Sequence, residues 1–95
     1  MYIEITDFEP SALDAFLHNT YEKYNTVIFV LYFSKVPLHR LRSLIPVLEK
    51  YRPVTRQKLL KTIVHLDSKW EMWIASKIHR IIKPEKPVEF VLTSI

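Results

Sequence analysis

An unbroken apolar run, Val27 to Phe33, is the strongest pattern along this chain, and it stops abruptly at Ser34-Lys35-Val36-Pro37. A strand with one wet face alternates apolar and polar residues. A continuous run predicts a strand buried on both faces, as in a mainly parallel sheet between helices. The stop matters too, because α/β proteins build ligand and partner sites where such strands end.

The neighbouring segments fit that frame. Tyr2 to Thr6 alternates as a first strand, with Ile3 and Ile5 on one face. Pro10 and Ser11 open a helix, for which Ser11-Ala12-Leu13-Asp14 reads as a capping box. Leu13, Phe16, Leu17, Thr20, Tyr21 and Tyr24 recur at helical spacing, and Asn25 stops them. After the central run, Pro46 interrupts the helical spacing of Leu38, Leu41, Leu44, Ile45, Leu48 and Tyr51. A cap at Ser43 would place Pro46 in a first turn, where a missing amide is tolerated, so the spacing predicts a loop over 38–42 and a helix over 43–52, ended by Pro53. Thr55 to Lys58 then makes one short helical turn, and Thr62 to Leu66 a third strand. Ser68-Lys69-Trp70-Glu71 caps a last helix, whose inward stripe reads as Trp70, Trp73, Ile74, Ile78, Ile81 and Ile82. Pro84 and Pro87 bracket a connection to a final strand, Val88 to Leu92. The expected fold is a single α/β domain over residues 1–95, ordered βαβαβαβ, with a four-stranded, mainly parallel or mixed sheet packed by helices.

Composition narrows the chemistry. With 48% hydrophobic residues there is ample material for one core, and the seven-residue run is far short of a membrane span. The N-terminus shows no basic leader or small-residue cleavage site, and an intracellular, cytoplasmic setting is expected. No cysteine is present, so disulfides and thiolate zinc sites are excluded. The absence of glycine excludes phosphate-cradling loops and nucleophile elbows, which need backbone that only glycine supplies. Charge is unevenly spread: residues 1–35 hold five carboxylates and two lysines, net −3, whereas residues 36–95 hold twelve Lys/Arg and five carboxylates, net +7. Such a basic portion can attract phosphate-rich partners or serve simply as solvated surface.

At residues 27–50, VIFVLYFSKVPLHRLRSLIPVLEK, the chain resembles the central strand, loop and helix of STAS domains, the fold of bacterial anti-sigma-factor antagonists. Ser34, Val36, Pro37, Leu44 and Leu48 carry the match. The later stretch, KTIVHLDSKW followed by IHRIIKPEKPVEFV, is similar to the end of STAS domains and of the related CRAL-TRIO C-terminal lobe. Regulatory STAS domains switch on phosphorylation of a serine in an Asp-Ser-Ser-Gly loop. Here Arg40-Leu41-Arg42-Ser43 stands instead, with Ser43 beside that position. What the resemblance implies is therefore the scaffold and its helix–loop docking surface. The style of sequence also looks similar to uncharacterised proteins of large DNA viruses, implying an infected-cell setting.

The expectation for function is a non-enzymatic, STAS-like protein-interaction module with no cofactor, metal or catalytic residues. Ser34, Lys35, His39, Arg40, Arg42, Ser43, Glu49 and Lys50 would dock an acidic protein surface or a second copy. The alternative is a basic binder of nucleic acid or anionic lipid head groups. For it, Asp67, Ser68, Lys69, Lys77 and Arg80 form a possible anion site at a strand edge beside a helix N-terminus, where Ser68 could equally be only a cap. His65 and Asp67, two apart on a strand, point the same way, as an acid–base pair would, but no nucleophile accompanies them. Trp70 and Trp73 are both at inward-compatible positions, so core is their expected use and no surface aromatic ladder is expected; of the two, Trp70, nearer the first turn, is the candidate for exposure.

Overall fold

The computed structural model describes residues 1–82 and 86–92. Strands β1 (Tyr2–Glu4), β2 (Val27–Tyr32), β3 (Leu59–Leu66) and β4 (Val88–Leu92) form one sheet in the order β1-β2-β3-β4, and every pair is parallel. Helix α1 (Pro10–Lys23) links β1 to β2. Helices α2 (Leu41–Lys50) and α3 (Arg52–Lys58) link β2 to β3, and α4 (Lys69–Ile82) links β3 to β4. The expected α/β order is present.

Each crossover moves one strand over in the same direction, and crossovers of one hand then lay every helix on one side of the sheet. Register and burial agree. The rows Ile3–Phe29–Thr62–Val88 and Leu31–Val64–Phe90 face the helices. The intervening rows, Tyr2–Ile28–Lys61, Glu4–Val30–Ile63–Glu89 and Tyr32–His65–Val91, belong to neither core cluster. This overturns the expectation for the central run. β2 is an interior strand, but only Val27 and Phe29 are buried, while Ile28, Val30 and Tyr32 look out from the uncovered face. A bulge at Leu60 adjusts the register, with Leu59 opposite Val27 and Lys61 opposite Ile28. The extra residue sends Leu59 inward and Lys61 outward.

Two packs share the helix side. Leu13, Leu17 and Tyr21 of α1, with Leu44 and Val47 of α2, cover β1 and β2. Ala75 of α4, with Met72 and Ile78, covers β3 and β4 around Val64 and Leu66. A cavity of about 280 Å³ remains on this side, and Leu31, Leu48, Val64, Ile78 and Phe90 are among its lining residues.

Local details differ from the sequence expectations for identifiable reasons. Glu9, rather than Ser11, caps α1: its carboxylate accepts from the Ala12 amide at 3.0 Å, and Pro10 takes the first helical position. α2 starts at Leu41, after a 3-10 turn over Leu38–Arg40, and Ser43 does not cap it but donates to the Arg40 carbonyl at 2.6 Å. Pro46 therefore sits inside α2, on its exposed side, where water can meet the unpaired carbonyl. Pro53 opens α3 instead of ending α2, and β3 begins three residues earlier than expected. The last capping box forms, with the Glu71 amide donating to Ser68 Oγ at 3.2 Å, although the Glu71 carboxylate accepts from the Asp67 amide at 2.7 Å instead of from Ser68. Pro84 and Lys83 lie outside the described residues.

Polar groups join α1 to the second crossover. Asp14 accepts from the Tyr51 hydroxyl and from Lys50 Nζ at 3.0 Å, and Tyr21 and Thr55 share a hydroxyl–hydroxyl bond of 2.8 Å. The Tyr51 hydroxyl, and after it Lys50, hold the Asp14 carboxyl below its ordinary 3.8. A carboxyl depressed in the folded state adds stability above its unfolded value, and that contribution is lost as pH falls through the folded value. The thermal midpoint is therefore expected to fall with acidification below about pH 4, and to fall less steeply in Asp14→Asn. Glu9, lowered first by Ser11 and then by the Ala12 amide, leaves the variant a residual slope. Midpoints measured from pH 2 to 7 check this; identical slopes would show that the Asp14 bonds contribute nothing.

Candidate functional site

The residues expected to dock a partner are all exposed. Ser34 and Lys35 sit in a 3-10 turn (Phe33–Lys35) that follows β2 and touches β3 and α4. The two strand ends are thus brought together, as the sequence suggested. His39 and Arg40 lie in the next turn, with Arg42 and Ser43 at the start of α2. Several of the set have structural partners: Lys50 is held by Asp14 at 3.0 Å, Glu49 pairs with Arg52 at 2.8 Å, Ser43 donates to the Arg40 carbonyl, and Lys35 Nζ lies 5.4 Å from the Tyr32 ring centre.

At the neighbouring strand end, Ser68 caps α4 and the Asp67 amide is taken by Glu71. Lys69, Lys77 and Arg80 are exposed along α4. His65 stacks on Tyr32 with ring centroids 4.9 Å apart, and its Nδ1 is shielded from solvent without a hydrogen-bond partner among the described residues. Among the described residues no group of three or more His, Asp or Glu could hold a metal ion. None of the described helices is long and apolar enough to cross a membrane.

The largest surprise is on α4. Trp70 and Trp73, at positions compatible with the inward stripe, are 64% and 53% exposed, as the sequence allowed for Trp70 but not for Trp73, and Ile81 is 76% exposed. The apolar residues of the helix, Trp70, Met72, Trp73, Ile74, Ala75, Ile78 and Ile81, spread over more than half of its circumference, so spacing alone could not choose the buried side. Met72, Ala75 and Ile78 face the sheet instead, and the small Ala75 lets the backbone approach it. The indole rings stack on one another at 5.1 Å, and Lys77 Nζ lies 4.5 Å from the Trp73 ring centre. A surface aromatic cluster with basic companions therefore exists where none was expected.

The second site missed from sequence is the bare face of the sheet. Parallel sheets are ordinarily covered on both sides. Here Ile28, Val30, Ile63 and Val91 form a half-exposed apolar centre, with Glu4 on one outer strand and Glu89 on the other. Lys61 pairs with Glu89 at 2.8 Å, so this face carries two carboxylates and one amine on a protein of net charge +4. The clue was available: Glu4, Lys61, His65 and Glu89 are polar residues at strand positions. It could be read only with the register in hand. Comparison with protein-family models, with curated proteins and with solved structures finds no match for this chain.

Proposed function

We propose that this chain is a non-enzymatic protein-interaction module whose bare sheet face receives a basic amphipathic helix of a partner protein. One observation carries the reading: an all-parallel sheet with helices on one side only, and apolar rows on the other. What normally covers such a face is a helix. The dimensions suit one. Three strand spacings of about 4.8 Å separate Glu4 from Glu89, or roughly 14 Å, and a helix with its side chains is about 10–12 Å across. A partner helix would lay its apolar stripe on Val30 and Ile63 and set basic flanks against the two carboxylates. The resemblance of residues 27–50 to STAS domains supports the same class of function, since those domains work by docking partners.

The test uses two labelled 14-residue peptides with one leucine stripe, flanked by lysine in the first and by glutamate in the second. The lysine peptide should bind at least tenfold more tightly, and Ile63→Asp should abolish binding. Glu4→Lys, an exposed change that cannot empty the core, should weaken it severalfold. Equal binding of both peptides, or binding indifferent to Glu4→Lys, would overturn the proposal, as would self-association through this face in preference to either peptide.

The exposed turn bearing Lys35, His39, Arg40 and Arg42 is the second reading, as a dock for an acidic partner segment.

A further inference from the structure

We propose that α4 seats the protein on an anionic lipid bilayer, with Trp70, Trp73 and Ile81 entering the head-group boundary and Lys69, Lys77 and Arg80 meeting the lipid charges. Trp70, Trp73, Lys77 and Ile81 follow one another at spacings of three, four and four, which keeps them on one narrow arc of the helix. From Trp70 to Ile81 that arc runs about 16 Å at ~1.5 Å per residue. All four residues are exposed, and the three apolar ones are among the most exposed large hydrophobic side chains of the chain. Exposed tryptophans are costly in water but suit a membrane boundary, where the ring body is buried and the indole N–H stays wet.

Charge fixes the kind of surface. Lys77 lies within the arc, and Lys69 and Arg80 border it beside Trp73. The only acidic residue of the helix, Glu71, is turned back onto the Asp67 amide. An apolar arc that carries one cation and is flanked by two more is the pattern of a helix lying in an anionic interface. It fits single-stranded nucleic acid less well. Trp70 and Trp73 stack on each other at 5.1 Å, which leaves no slot between them for a base, and Ile81 has no stacking face. The arc looks away from the sheet, on the opposite side from the bare face carrying Val30 and Ile63, so this binding needs no partner there.

Vesicles of phosphatidylcholine with 30% phosphatidylserine, and of phosphatidylcholine alone, serve as probes. The intact chain should sediment with the anionic vesicles and much less with the neutral ones. Its tryptophan emission should shift to the blue and be quenched by lipids brominated near the head group. Trp70→Ala/Trp73→Ser should lose at least tenfold in partitioning with an unchanged circular-dichroism spectrum, and Lys77→Gln about fivefold, the worth of one cation near such a surface. Equal partitioning of wild type and the double variant, or emission untouched by brominated lipid, would overturn the proposal. So would retention on single-stranded DNA without retention on the anionic vesicles, an outcome that favours a nucleic-acid surface.

Discussion

Phe29→Ala is expected to cost about 3–5 kcal/mol of folding stability, while Val30→Thr, the next residue of the same strand, costs under about 1 kcal/mol. Phe29 is 4% exposed and meets the rings of Phe16 and Tyr21 at centroid distances of 6.0 and 5.9 Å. Removing its ring would leave a void between β2 and α1 that neither element can close, since both are also held by Leu13, Leu17 and Val27. A chain of this length has on the order of 5–14 kcal/mol in total, so the loss is a large share of it. Val30 points the other way, onto the face without helices, where a hydroxyl is met by water. Urea denaturation of the two variants measures the contrast. Similar losses would mean that both faces of β2 are dry and that the sheet has a cover on each side.

The second large effect concerns the face of α4 that meets the sheet. Ala75 is 4% exposed and packs in the cluster of Phe33, Val64 and Leu66. Ala75→Asp puts a carboxylate into that apolar cluster, where an unpaired polar group costs about 1–3 kcal/mol and a charged one more. Trp73→Ala, two residues away and with a far larger change in volume, should cost less, because about half of its surface is already in water and it belongs to neither core cluster. The ordering reverses what side-chain size alone would suggest. A larger loss from Trp73→Ala than from Ala75→Asp would place the tryptophans in the core, and would remove the basis for the lipid-facing arc.

Much of the fold was legible because its signals are local. The Val27–Tyr32 strand, the stripe of Leu13, Leu17 and Tyr21, and the Ser68–Glu71 cap each follow from residues within a turn or two of one another. Errors arose where a local signal had two solutions. Pro46 can open a helix or be tolerated on an exposed side within one, and the energetic difference is settled by Leu44 and Val47 packing inward. Glu9 outcompeted Ser11 as the cap of α1 because the chain enters that helix through Pro10.

The site was less legible, and for one reason. Which side of an element is buried depends on what lies across from it. The sequence by itself determined the four strands, their order and the main helices between them, the basic character of the later two-thirds, and the exclusion of glycine- and cysteine-dependent chemistry. Only the tertiary structure decided that all crossovers fall on one side of the sheet, which leaves Ile28, Val30 and Ile63 half-buried with no helix over them. It also decided that Ala75, and not Trp73, is the residue α4 presents to that sheet. Periodicity records that a face is apolar; whether the face meets another part of the chain or is left over for a partner is fixed by strand order and by the close approach of backbones, which are non-local.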